Sequence, residues 1–190
     1  MPKQRITREN VIDAAFEIAR SGGMEAVTVK SIANRLGCSV QPIYSYCSSM
    51  DGLRRGVIEK TVRFVREYAD VHTDKADLFR STGRAYVNLA KEEPNLFTMF
   101  ILHQRTGISS LEDMYESETN PETAEYIAEK LGLSAKQAKK LHLNMLIYTI
   151  GIGAIFAMTE PGIRAEEIYA RQEEAYEAFL AQAMSSVKEA

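Results

Sequence analysis

Ser39, Val40, Gln41 and Pro42, followed by Tyr44 and Tyr46, hold the most specific chemistry in this 190-residue chain. Small and short polar side chains at the start of a helix can approach base edges in a DNA major groove. Gln41 can hydrogen-bond an adenine edge, while Val40 and Pro42 offer apolar contact to a thymine methyl. The hydroxyls of Tyr44 and Tyr46 suit phosphate oxygens, as do the hydroxyl of Thr28 and the N–H groups of the helix it opens. Tyr44 has a competing reading as a core aromatic, since a tyrosine ring packs as readily as its hydroxyl bonds. Lys3 and Arg5 form a basic arm fit for a groove or for solvent, and Lys30 and Ser49 complete the candidate DNA-contacting set.

Catalytic chemistry has no comparable footing. His72, His103 and His142 lie far apart, and none stands in a His-x-x-x-His or Glu-x-x-His spacing. There is no Gly-x-Ser-x-Gly elbow and no Gly-rich phosphate loop. Gly151-Ile152-Gly153 falls inside an apolar helical stretch, where glycine permits close helix packing. Cys38 and Cys47 are too few for a disulfide framework and show no zinc-type pairing, which fits a reducing compartment. Each reads first as a small buried hydrophobe and only second as a redox sensor. No catalytic residue, metal site or cofactor is expected, and an all-α enzyme would need a polar constellation that is missing.

The DNA-reading residues need two short helices held at a fixed angle. Thr28 and Ser39 are good N-caps, and each opens a segment too short to be stable alone. Leu36-Gly37-Cys38 makes the turn between them, with glycine supplying the backbone freedom. That is a helix-turn-helix, whose second helix enters the major groove. A preceding helix runs from a Thr7 cap to about Ser21, and a following one from Ser48 or Ser49 to about Val71. Beyond it, helices are expected over 74–91, 94–104, 121–131, 135–159 and 164–187, with 107–119 left open between a helical turn and a loop. The fold class is all-α: an N-terminal three-helix domain over residues 1–50 and a C-terminal helical bundle over 51–190.

Charge follows the same division. The chain carries a net charge of −3, yet residues 1–56 hold eight Lys/Arg against five Asp/Glu. A basic head on an acidic body is expected where only one end meets phosphate. The first ten residues, MPKQRITREN, contain no apolar run, so no signal peptide is expected. Leu141 to Met158 is apolar enough to raise the membrane question, but it also reads as the centre of a helical bundle. The expectation is a soluble cytoplasmic protein without a membrane partner.

Ile6-Thr7, Ala14-Ala15, Gly23, Thr28, Ile32-Ala33, Leu36-Gly37, Ser39, Ile43-Tyr44 and Leu53 together resemble the tetracycline-repressor-like (TetR) family of bacterial regulators. The resemblance covers about a quarter of the chain. It implies an all-α homodimer on a palindromic operator, a ligand cavity in a variable C-terminal domain, and repression relieved by a small molecule. It places Thr28 and Tyr44 at phosphate-contacting positions and Ser39 to Pro42 at base-reading ones. Three departures stand out. Tyr46-Cys47 replaces a frequent His-Phe, and Met50 replaces a frequent phosphate-binding lysine, with Arg54 and Arg55 one turn further on. Glu93 to Phe100 is similar to a Pro-aromatic-Met-Phe segment of some members.

For a moderately apolar effector, Phe79, Tyr86, Phe97, Phe100, His103, Met114, Tyr115, Met145 and Tyr148 are the candidate pocket residues, although the same side chains suit an ordinary core. The helices at 135–159 and 164–187 would form the dimer interface, because the stripe Ile168, Ala175, Tyr176, Phe179, Ala183, Val187 needs cover from a second copy or from its own chain. Ligand would shift the population of dimers, with the signal carried by the helix at 49–71. A helix-turn-helix protein governed by a protein partner, or by none, would share the head and lack the cavity.

Overall fold

The computed structural model describes residues 6–46, 49–101, 106–159 and 163–185, and among these there is no strand. Ten α-helices follow in order: α1 (Arg8–Gly22), α2 (Val29–Leu36), α3 (Val40–Tyr46), α4 (Met50–His72), α5 (Leu78–Glu92), α6 (Pro94–Ile101), α7 (Leu111–Glu118), α8 (Pro121–Leu131), α9 (Ala135–Met158) and α10 (Ala165–Ser185). Short 3-10 turns at Met24–Ala26 and Lys75–Asp77 lead into α2 and α5.

Side-chain caps decide where the helices begin. Thr7, Thr28, Ser110 and Ser134 each accept a hydrogen bond from the residue three on, whose own side chain reaches back to the cap N–H. Ser49 starts α4 by accepting from the Gly52 N–H at 3.1 Å, whereas Ser48, the other candidate cap, lies outside the described residues. The open question at 107–119 resolves as a helix: Ser110-x-x-Asp113 is a capping box that nucleates α7.

Internal contacts gather the chain into two compact units, Met1–Val71 with Leu89–His103, and His72–Asn88 with Gln104–Ala190. The chain passes from the second to the first within α5. In the first unit one core joins Val11, Ala15, Phe16 and Ala19 of α1 to Ile32 of α2, Ile43 of α3, Leu53 and Val57 of α4, and Leu96 and Met99 of α6. Burying an Ile, Leu or Val of this kind is worth about 1.5–3 kcal/mol, so α2 and α3 are held by the core and not by their own propensity.

The second unit holds two apolar clusters. The larger joins Ile127 of α8, Leu141 and Met145 of α9, and Tyr176 and Ala183 of α10, with Phe79 and Phe179 packed on it. The smaller joins Val87, Phe156 and Ile168. The expected stripe of α10 is therefore covered largely by its own chain: Ile168, Tyr176 and Ala183 are buried inside this unit, and Val187 lies outside the described residues. One apolar face left open is on α9, where Ile147, Ile155 and Met158 are 44%, 56% and 71% exposed.

Candidate DNA-reading surface and candidate effector residues

The turn before the recognition helix is built by one glycine. Gly37 adopts φ 63°, ψ 34°, the left-handed conformation, and its N–H reaches back to the carbonyls of Ala33 and Asn34. The Cys38 N–H bonds the Ala33 carbonyl at 3.0 Å. Orphan carbonyls at the end of α2 are thus satisfied while the chain swings into α3. Only Ile43 of α3 is fully buried, so a single anchor leaves the rest of that helix outward.

The outward set matches the residues expected to read DNA. Thr28, Lys30, Ser39, Val40, Gln41, Tyr44, Tyr46 and Ser49 are exposed and Pro42 is partly so. Tyr44 is 61% exposed, which removes the core-packing alternative. Lys3, Arg5 and Cys47 lie outside the described residues. The Thr28 side chain caps α2. Its Oγ accepts the Ser31 N–H and donates to the Ser31 Oγ, both at 3.0 Å. The groups it leaves for an anion are the Val29 and Lys30 N–H groups, since the first intrahelical bond of α2 is Ile32 N–H to the Thr28 carbonyl.

Met50, at the frequent lysine position, packs against the core of the first unit. Arg54 and Arg55 are exposed on the first turns of α4. An open groove of about 940 Å³ runs between α1 and the α2–α3 turn. Its α1 wall carries Asp13 and Glu17, a charge sign that repels phosphate.

One ion-pair network in this unit joins residues that no local sequence pattern connects. The Arg20 guanidinium donates from Nε to both Glu93 oxygens at 3.0 and 2.9 Å, and from its terminal nitrogen as well. Asn95 donates to the Arg20 carbonyl at 3.0 Å, and Arg20 also lies 5.2 Å over the Phe64 ring. The end of α1 is thereby tied to the α5–α6 junction and to α4. Glu93 is the more buried partner, with 14% of its side chain exposed against 39% for Arg20. Arg20→Ala is expected to lower the unfolding free energy by about 1–2 kcal/mol, a figure discounted for the exposure of Arg20. A urea midpoint equal to wild type would show the network to be ornamental.

The candidate effector residues divide between the units. Phe97 is buried in the first unit, where Phe100 also belongs. Phe79, Tyr86, Met114, Tyr115, Met145 and Tyr148 belong to the second, and His103 lies outside the described residues. The structure brings Phe79 and Tyr115 together around a residue outside the expected set, His142. Its Nδ1 lies 2.9 Å from the Tyr115 hydroxyl, with the two rings edge to face at 5.3 Å. Phe79 packs on the other side, 5.6 Å from His142 and 5.7 Å from Tyr176. Burial pushes the His142 pKa down to about 4, so the ring is neutral at pH 7. Burial likewise raises the Tyr115 pKa.

Among the described residues no group of three or more His, Cys, Asp or Glu side chains is placed to hold a metal ion. By length and composition α9 could cross a membrane, and 28% of its most apolar 18-residue window is buried within the chain.

Tyr44→Phe tests the phosphate contact without disturbing packing, because the ring is outside the core. Operator affinity should fall about three- to tenfold, the worth of one hydrogen bond to a charged oxygen, with helicity unchanged. Equal anisotropy titrations for both proteins would mean the hydroxyl makes no useful contact.

Residues 11–57, which span α1 to the start of α4, match the model of bacterial regulatory proteins of the tetR family. The fold is similar to a solved TetR-like transcriptional regulator from Rhodococcus sp. RHA1, at 16% identity and a TM-score of 0.64, covering 94% of this chain and 98% of that one. A second transcriptional regulator from Rhodococcus sp. Rha1 matches at 14% identity and 0.60, covering 93% and 97%. The search of curated proteins gives no match. The family match is confined to the capped segment from α1 to the start of α4, and the fold is shared with the two solved regulators along nearly the whole length.

Proposed function

We propose that the protein is a ligand-responsive transcriptional repressor, soluble and cytoplasmic, that binds a palindromic operator as a homodimer and is released by a small apolar or amphipathic effector. The observation that carries the DNA-reading part is the outward set at the start of α3: Ser39 just before the helix and Val40, Gln41 and Tyr44 on it, exposed around the single anchor Ile43. Two such helices, one from each protomer, would enter successive major grooves. In this reading residues 1–50 read DNA and residues 51–190 serve ligand binding and dimerisation. The dimer face is the open apolar side of α9, together with α10.

Effector control would act by population shift, favouring a dimer whose recognition helices no longer match the half-site spacing. The helix at 49–71 remains the expected carrier of the signal, and the Arg20–Glu93 tie adds a second, from the end of α5 into α1. A regulator governed by a protein partner would show the same head and no response to small molecules.

Fluorescence-anisotropy binding to the DNA upstream of this protein's own gene, against scrambled DNA at one salt concentration, tests the reading. Saturable binding of two protomers per site would support an autoregulatory reader and supply an operator on which to screen effectors. Equal binding to scrambled DNA, falling steeply with salt, would leave only the unspecific electrostatic term at that site.

A further inference from the structure

The interior of the second unit changes character along α5, α9 and α10. Phe79, Met145 and Tyr176 belong to the larger apolar cluster, and Val87, Phe156 and Ile168 form the smaller one. Between them, one turn from Phe79, Met145 and Tyr176 on each helix, come Gly83, Thr149 and Gln172. This intervening layer is polar and dry: Thr149 is 8% and Gln172 5% exposed. The Gln172 Nε2 donates to the Thr149 Oγ1 at 3.1 Å. Its Oε1 is buried and has no hydrogen-bond partner. A Cβ added to Gly83 would stand 2.8 Å from the Gln172 Nε2, so glycine is what admits the carboxamide beside α5.

An acceptor left dry costs the fold its desolvation and returns nothing. Leucine would fill the same space without that cost and forfeit only the hydrogen bond to Thr149, so the unmet oxygen is better explained by a donor that arrives from outside the chain. We propose that Gln172 is the polar anchor of the effector site, and that the effector is an uncharged molecule whose hydroxyl or N–H donates to the Gln172 Oε1 while its apolar body lies beside Phe79, Met145 and Tyr176. The proposal rests on the reading of this chain as ligand-responsive.

The absence of charge in the effector follows from the neighbours. Arg80 and Arg84 are both taken by the Glu173 carboxylate, at 2.7 and 3.1 Å, and Arg80 also covers the Tyr176 ring at 4.4 Å. His142, on the far side of Phe79, is held neutral by burial. An ionised ligand would find no counter-charge among these groups, and its desolvation would go uncompensated.

Phenol, anisole and toluene are suitable probes, since they share a ring and differ in the donor. Thermal unfolding of the full chain is followed with each probe, in wild type and in Gln172→Leu. Phenol should raise the wild-type midpoint more than anisole or toluene does, by mass action on the folded state. The apparent affinity for phenol should fall about five- to tenfold in Gln172→Leu, while that for toluene stays level. Gln172→Met provides a second apolar variant, with helicity by circular dichroism as the check on folding. Equal phenol affinity in wild type and variant, no preference for phenol over anisole, or no shift with any probe would each overturn the anchor. The two readings fail separately. An effector that releases DNA equally from wild type and Gln172→Leu would remove the anchor and keep ligand control. Phenol bound through Gln172 without any ligand altering operator affinity would keep the anchor and remove ligand control.

Discussion

In the proposed homodimer, placing glutamate at both Ile147 and Ile155 is expected to convert dimer to monomer and to lower operator affinity by on the order of 10²–10⁴-fold. Both side chains belong to the open face of α9, 44% and 56% exposed within one chain. They stand eight residues apart with Gly151 midway, and a Cβ added to Gly151 would meet nothing within 4 Å. Ile147, Gly151 and Ile155 therefore line one side of α9, with Met158 near its end and a bare backbone at the middle of the line. That is a surface on which a second helix can approach closely. Each isoleucine covered in a dimer contributes about 1.5–3 kcal/mol, and two-fold symmetry counts every substitution twice. Carboxylates at those positions must be desolvated without partners or keep the copies apart. Because neither side chain is buried within the protomer, helicity and the urea midpoint at low concentration should stay close to wild type. Operator affinity falls because two half-sites read by one linked object become two independent events. Sedimentation equilibrium would give the mass and anisotropy the affinity. A double variant that remains a dimer would place the interface on another face.

What could be read from the sequence was what the sequence encodes locally. Thr28, Gly37 and Ser39 announce the two short helices because caps and a left-handed turn depend on residues one to four apart. The exposed set on α3 follows directly, since Ile43 is the only fully buried residue of that helix. The helix α7 is less legible because its capping box uses Asp113, a shorter acid than the usual glutamate, and no local pattern marks the hydrogen bonds from Ser109 and Ser110 that hold the Asp113 carboxyl below the usual carboxylate range.

The remainder depends on partners far apart in the chain. Arg20 meets Glu93 across 73 positions, and nothing local marks either residue. That tie, with Leu96 and Met99 in the core of α1 to α4, is why α6 belongs to the first unit. Gln172 did leave a trace: it stands four residues after Ile168 and four before Tyr176, a polar residue on an otherwise apolar stripe. Such an interruption marks either a buried polar contact or a break in the stripe, and only the packing of Gly83 and Thr149 decides between them.

Acidification should weaken the fold through His142 in a way that a single substitution removes. The ring lies between Phe79 and Tyr115, with its Nδ1 2.9 Å from the Tyr115 hydroxyl. The charged groups near these partners are Lys139, 5.2 Å over the Tyr115 ring and paired with Glu112 and Glu116, and Arg80, 4.4 Å over the Tyr176 ring and paired with Glu173. Burial lowers the folded-state pKa to about 4 from an ordinary 6.5. The unfolded chain therefore binds a proton more readily than the folded one, and stability must rise with pH between those values. The contribution is fully present above about pH 6.5, declines as the pH falls, and is exhausted once the pH passes below 4. Its full size is on the order of 3 kcal/mol, of which about 2 kcal/mol is gone by pH 5, a large part of the ~5–15 kcal/mol that holds an ordinary domain folded. His142→Asn keeps an acceptor for the Tyr115 hydroxyl and cannot titrate. Urea unfolding at pH 7.5 and pH 5 should show the wild type losing about 2 kcal/mol more than the variant over that interval. Any constant effect of the substitution cancels in that difference, and so does the titration of carboxylates elsewhere. Equal losses in the two proteins would mean that the folded chain admits the protonated ring, and that His142 is far less enclosed by Phe79 and Tyr115 than the distances require.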